Sequence, residues 1–173
     1  MRILFTGGFG FRKGAEYILK ALYELDKEGF RYDFTCVGDS EGAVSLIERI
    51  GTKYVTRVNT VPQDELKRFL SEFDVYLFPS LCEGCASSGM EAMSAGLPVI
   101  ATRESGLPIE DGVDGIIVES KNVEAIKSAI RQLALDPTLR ERLGISASKK
   151  IRENYTWDKY AENVVSVYSG LLK

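Results

Sequence analysis

Not one of the 173 residues is a histidine. That single absence removes His-based proton transfer, the Ser-His-Asp and Cys-His nucleophile systems, and every His-ligated metal site. Any polar chemistry falls to carboxylates, lysines, arginines, hydroxyls, thiols or backbone amides. Cysteine is scarce as well. Cys36, Cys82 and Cys85 are the whole complement, too few for a secreted disulfide framework and suited to a reducing compartment. There is no run of about 18 apolar residues, the least that spans a bilayer. The apolar opening Ile3-Leu4-Phe5 meets Gly7-Gly8 too soon to form the core of a signal peptide. Positive charge is not in excess either: 22 basic against 25 acidic residues leave a net charge of −3. Recognition of nucleic acid begins with phosphate neutralisation, so a chain without a basic field is a poor partner for it. The expected location is cytoplasmic.

What is present is an ordinary globular mixture, 45% hydrophobic and 27% charged. A single domain of this length buries roughly 70% of its unfolded surface, so it needs no disulfide or metal to hold it. Short apolar runs at Arg2 to Gly7, Tyr32 to Val37, Tyr54 to Val58, Val75 to Phe78, Val99 to Ala101 and Gly115 to Val118 read as strands. Between them lie helical stripes. Ile18, Ala21, Leu22 and Leu25 close at Gly29, and Leu46, Ile47 and Ile50 close at Gly51. Leu66, Phe69, Leu70 and Phe73 follow Pro62, and a short helix from Ser87 to about Ala95 is capped by Gly96. Beyond Asn122 the pattern is helical only: Val123, Ile126, Ile130 and Leu133, then a helix opened by Pro137. The last stripe is Trp157, Tyr160, Ala161, Val164, Val165, Tyr168 and Leu171, widened by Leu172.

Strands alternating with helices at this spacing predict a doubly wound, Rossmann-like α/β domain with a parallel sheet and extra C-terminal helices. No linker or repeat divides residues 1–173, so the chain reads as one domain. Ligands of such sheets bind beyond the carboxyl ends of the strands. That rule selects Gly7 to Gly14, Gly38 to Glu41, Pro79 to Glu91 and Thr102 to Gly112.

Thr6-Gly7-Gly8-Phe9-Gly10-Phe11-Arg12-Lys13-Gly14 joins a strand to a helix, where backbone amides and the helix N-terminus favour an anion. Arg12 and Lys13 put two cations at its mouth. It is not a Walker A loop, which requires Gly-Lys-Ser/Thr. Its Thr-Gly-Gly-x-Gly-Phe opening looks like that of short-chain dehydrogenases, and Tyr155-x-x-x-Lys159 has the spacing of their catalytic pair. Against that reading, the third fingerprint glycine falls on Lys13, and Tyr155 lies among helices after the sheet is complete. Two solvated cations beside a tight turn are the bland alternative. Cys82-Glu83-Gly84-Cys85 has the spacing of a redox pair, but small thiols in a loop account for it, and without histidine a structural zinc site is not expected.

The segment from Pro79 to Ala101 carries more. Glu83 and Glu91 are eight positions apart, one in a loop and one on the next helix, so both can face one cleft. Gly84, Cys85, Ala86, Ser87 and Ser88 supply amides at a helix N-terminus, a seat for phosphate. Carboxylates for sugar hydroxyls beside amides for phosphate describe a sugar-nucleotide pocket. On spacing alone, two glutamates on a solvated surface are the bland reading.

This segment resembles the Glu-x7-Glu signature of retaining GT-B glycosyltransferases, the glycosyl transferases group 1 type. The following Glu91-Ala92-Met93, with Gly96, Pro98, Val99, Ile100 and Ala101, resembles the continuation of that signature. Lys13-Gly14, Val37-Gly38-Asp39, Asp74 through Ser80, Asp111 through Gly115 and Tyr155-Thr156-Trp157 resemble further family segments. The resemblance covers almost the whole chain and implies the C-terminal, donor-binding half of a two-domain GT-B enzyme. The N-terminal acceptor domain is then absent from this chain, and this half alone is expected to be inactive.

By that resemblance, Glu83 and Lys13 are the expected catalytic residues; Lys13 holds the donor diphosphate and Glu91 the ribose hydroxyls. Glu83 with the amides of Gly84, Cys85 and Ala86 holds the sugar, amides near Ser87 and Ser88 meet the distal phosphate, and Val61 lies against the base. The family arginine falls on Gly8, with Arg12 as its possible substitute. The usual aromatic is Cys85, and the usual glutamate after Pro108 is Ile109. The implied substrate is a UDP-, GDP- or ADP-sugar, transferred hexosyl-fashion to an acceptor glycan or lipid, as in polysaccharide biosynthesis. No cofactor and no metal ligands are expected. The resemblance allows peripheral attachment to the inner membrane face through the acceptor half. A non-catalytic sugar-nucleotide-binding module is the alternative, suggested by Gly8.

Overall fold

Parallel neighbours cannot be joined by a hairpin, so each pair needs a crossover, and here the helices provide it. A computed structural model describes residues 1–38 and 41–171. Its strands are β1 (Arg2–Thr6), β2 (Asp33–Val37), β3 (Val55–Val58), β4 (Val75–Phe78), β5 (Val99–Ala101) and β6 (Ile116–Ile117). They form one parallel sheet in the order β3-β2-β1-β4-β5-β6. The helices are α1 (Ala15–Lys27), α2 (Glu41–Ile50), α3 (Gln63–Leu70), α4 (Ser87–Ser94), α5 (Val123–Leu135), α6 (Pro137–Asn154) and α7 (Trp157–Leu171). The chain winds outward from β1 to β3, then returns to lay β4 on the other side of β1. The strand order therefore reverses between β1 and β4, and their carboxyl ends open a crevice there.

A sheet covered on both faces explains the unbroken apolar runs in its central strands. Ile3, Leu4, Phe5 and all four residues of β4 are buried. Phe5 stacks on Phe78 with ring centroids 5.5 Å apart and meets Phe9 edge-on at 4.9 Å. Helices α1 and α5 pack together, sending Ile18, Leu22 and Leu25 of one and Ile126, Ile130 and Leu133 of the other into the core. Between these helices the buried Lys127 ammonium contacts Glu24 and Glu124 at 2.7 Å and Glu28 at 3.2 Å. Side-chain caps start α5 and α6. Asn122 accepts from the Ala125 amide, and Asp136, just before Pro137, accepts from the Leu139 amide, each at 2.9 Å.

Several predicted elements are shorter: β2 starts at Asp33 rather than Tyr32, and α3 ends at Leu70, before Phe73. Tyr54 adopts φ +53° and stands outside β3, which starts at Val55. Of the strand expected from Gly115 to Val118, Ile116–Ile117 remains: the Gly115 carbonyl accepts from the Gly112 amide (2.8 Å) and closes a turn, while the Val118 amide still donates to the Ala101 carbonyl (2.8 Å). Helix α7 has its predicted apolar residues but buries none of them, and Trp157 is 85% exposed. Two readings, the turn at Asp39 and the widening of the stripe by Leu172, lie outside the described residues.

Candidate functional site

Three loops meet beyond the carboxyl ends of β1, β4 and β5, and their backbones fix one another. The Leu81 amide donates to the Arg12 carbonyl (2.8 Å), as does the Ser80 hydroxyl (3.1 Å). The Glu83 amide donates to Glu104 (2.8 Å), and the Thr102 hydroxyl donates to the Ser80 carbonyl. Two glycines make this closeness possible. Gly14, at φ +80°, lies against β4's outgoing loop so tightly that a methyl there would sit 2.2 Å from the Pro79 carbonyl oxygen. Gly106, at φ +66°, approaches Gly84 in the same way, at 2.4 Å.

On this platform the structure brings Arg12, Lys13 and Glu83 together. The Arg12 guanidinium is 2.8 Å from the Glu83 carboxylate and also donates to the Cys82 carbonyl at 3.0 Å. Lys13 Nζ is 3.6 Å from the same carboxylate, lies 5.0 Å from the centre of the Phe78 ring, and sits over Gly7. Lys13 and Glu83 are largely shielded from solvent, while Arg12 is mostly exposed. The residues expected to hold diphosphate and sugar separately are thus paired with each other.

Beside the cluster runs a groove of about 270 Å³ whose walls include Thr6, Gly7, Gly38, Val61, Ser88 and Glu91. Val61 and Glu91, predicted to face base and ribose, therefore line one cavity. Partial desolvation pushes the Glu91 carboxyl above its ordinary pKa, although the residue as a whole remains accessible. A second cavity of about 510 Å³ lies between α3, α4 and the α6–α7 junction, and Glu91 borders it too.

The amides expected to seat phosphate divide into two groups. The Ala86 N–H, expected to help hold sugar, donates to the Ser105 carbonyl at 3.2 Å. The loop after β5 has folded back to claim it. Among the described residues, Gly84, Cys85, Ser87 and Ser88 have no protein acceptor for their amides. Helix α4 also lacks a side-chain cap at Ala86, so its positive end stays open.

The thiols of Cys82 and Cys85 are free and exposed, with Cys85 Sγ 3.4 Å from Met90 Sδ. Lys159 is engaged by Glu162 at 2.7 Å on the exposed α7, not by Tyr155. Among the described residues no group of three or more acidic or cysteine side chains is placed to hold a metal, and no helix is long and apolar enough to cross a membrane.

Sequence reasoning missed one polar residue of the crevice, Tyr76. The Tyr76 hydroxyl lies 2.9 Å from Thr6 Oγ1 and 2.9 Å from Ser88 Oγ. Burial drives its pKa up to about 12. The available signal was a tyrosine in an otherwise apolar central strand, because a buried phenol needs a hydrogen-bond partner.

A family model described as "Glycosyl transferases group 1" matches residues 1–136. An uncharacterized glycosyltransferase of Methanocaldococcus jannaschii is 32% identical over 171 residues, covering 96% of this chain and 44% of the relative. The chain thus spans about half the length, or less, of the curated relatives it matches first. Among solved structures, the C-terminal domain of a glycosyl transferase group 1 family protein (LpcC) from Francisella tularensis superposes with a TM-score of 0.78 at 20% identity, covering 90% of this chain and 86% of that one. HepE of Anabaena, in complex with UDP-glucose, gives 0.84 at 16% identity over 98% of this chain and 48% of its own.

Proposed function

Given that the chain belongs to the glycosyl transferases group 1 family, whose model matches most of its length, we propose that it is the donor-binding half of a retaining sugar transferase. Its substrate in this reading is a nucleotide-diphosphate sugar. The observation that carries the proposal is the groove at the sheet's reversal point that Val61, Ser88 and Glu91 line together. Lys13 Nζ sits over Gly7 on the wall of that groove, and the amides of Ser87 and Ser88 at the start of α4 are unbonded. The base lies along Val61, the ribose hydroxyls donate to Glu91, and the diphosphate meets Lys13, Arg12 and the amides of Ser87 and Ser88. UDP and UDP-glucose occupy structural relatives of the same fold, which supports this class of ligand.

For Lys13 and Arg12 to reach a diphosphate they must loosen their hold on Glu83. Two anions compete for the same two cations, and the incoming diphosphate carries the greater charge. Glu83 is then released toward the sugar. The acceptor oxygen bonds to the anomeric carbon as the carbon's bond to the diphosphate oxygen breaks on the same face, and the departing phosphate takes the acceptor's proton. Lys13, Arg12 and the helix-terminal amides stabilise the charge that grows on the departing phosphate. The acceptor half belongs to a second domain, so this half alone binds donor without turnover. The exposed apolar side chains of α7 are the surface that such a domain would cover, and any peripheral membrane attachment would come through it.

Calorimetry with UDP, GDP and ADP tests the reading. Glu91→Ala should weaken the best ligand by about 1.5–3 kcal/mol, the worth of hydrogen bonds to a charged group. Unchanged affinity would sink it. A non-catalytic sugar-nucleotide-binding module is favoured by Gly8, where the resemblance calls for arginine. Activity on adding an acceptor half separates the two.

A further inference from the structure

The Tyr76 ring lies within β4 and is fully buried, yet its hydroxyl reaches the crevice between β1 and β4. It touches one hydroxyl at the end of β1, Thr6, and one in the first turn of α4, Ser88. Three hydroxyls own three protons, and the two contacts use two of them. A buried phenol whose own proton faced no acceptor would lose most of a hydrogen bond. Tyr76 therefore donates to one neighbour and accepts from the other, and the chain of hydroxyls runs in one direction. Whichever residue ends it, Thr6 or Ser88, has a proton left to give. Both ends line the groove beside Gly7 and Glu91.

We infer that Tyr76 is a positioning residue: it orients Thr6 and Ser88 so that one of them donates a hydroxyl proton to an anionic oxygen of a bound nucleoside diphosphate. This rests on the nucleotide-sugar reading of the site. A phosphate is the fitting recipient because it only accepts hydrogen bonds, whereas ribose hydroxyls can donate to Glu91. The phenol keeps its proton through the neutral range, since burial and the nearby Glu91 charge both disfavour phenolate. The relay also ties β1 to α4 across the reversal point, so it sets the spacing of the two elements that flank the ligand.

Calorimetry on the full chain tests it, with UDP, GDP and ADP and their nucleosides titrated into wild type, Tyr76→Phe, Ser88→Ala and the double variant. Phenylalanine keeps the ring and removes only the relay oxygen. Tyr76→Phe should weaken the best diphosphate about five- to tenfold, the range for one well-placed hydrogen bond. The matching nucleoside should be unaffected. The double variant should lose less than the product of the two single losses, because both act through one chain of hydroxyls. Equal losses for nucleoside and diphosphate, or fully multiplicative losses, would assign Tyr76 a merely structural role and overturn the inference. If Tyr76→Phe folds poorly, the selectivity of Ser88→Ala for diphosphate decides by the same criterion. A wild type that binds diphosphate beside an unchanged Tyr76→Phe overturns the relay alone. A wild type that binds no nucleotide overturns the nucleotide-sugar reading on which it rests.

Discussion

The loops at the carboxyl end of the sheet and the helix α7 both lie at the surface, and they are held in opposite ways. Each loop is bonded to its neighbour: Leu81 to Arg12, Glu83 to Glu104, Ala86 to Ser105. Even their charges are matched internally, Arg12 and Lys13 against Glu83. Helix α7 presents Trp157, Tyr160, Val165, Tyr168 and Leu171 to solvent and buries nothing. The loops are pre-organised, so a ligand that binds there need not supply the cost of ordering them. The helix carries apolar surface well beyond what its own domain uses. Binding competence and surface completeness are therefore separate properties of this chain.

The sharpest way to break this contrast is to wedge the platform apart. Gly14→Ala places a methyl against the Pro79 carbonyl at a left-handed φ, and should lower the unfolding free energy by about 3 kcal/mol or more. Urea titration reads the value, and a loss below about 1 kcal/mol would mean that the loops yield easily. A smaller effect comes from the charges. Glu83→Gln frees Arg12 and Lys13 from their carboxylate, so diphosphate affinity should rise, by about threefold for so exposed a partner as Arg12. Titration at low and high salt checks it, since salt should narrow the gain. A fall in affinity would instead make Glu83 an organiser of the cations. The smallest effect belongs to the helix. Val165→Ser and Tyr168→Ser should each shift stability by no more than about 0.5 kcal/mol. A loss of core size at either position in thermal unfolding would show that α7 has a partner surface within the chain.

Much of the fold was legible because its signals are local. Gly29, Gly51 and Gly96 all take positive φ just beyond the helical stripes they were read to close, and β4 is as apolar as a strand covered on both faces must be. The short β6 was not legible, since a turn closed by the Gly112 amide takes up the Gly115 carbonyl. In the site, Val61 and Glu91 were read from the resemblance and do share a groove. The pairing of Arg12 with Glu83 was hidden, because the two lie far apart in sequence and long-range contacts, Gly14 on Pro79 and Leu81 and Ser80 on the Arg12 carbonyl, bring their loops together. The Ala86 amide was read as free for the same reason: its acceptor, Ser105, belongs to a different loop. Tyr76 was hidden by its own neighbours, whose apolar run made a phenol look like one more core ring.

Lys127 joins the first helix to the fifth, and its partner Glu24 stands 103 residues away along the chain. Such a contact cannot help a nascent βαβ unit to form, because the intervening strands must be laid down before α5 can reach α1. With so much chain between its partners, it is expected to form late in folding. Contacts made that late hold the rate of unfolding down while leaving the rate of folding alone. The buried ammonium among its carboxylates is thus a latch on the lifetime of the folded chain. Stopped-flow traces of Lys127→Met should steepen on the unfolding side only.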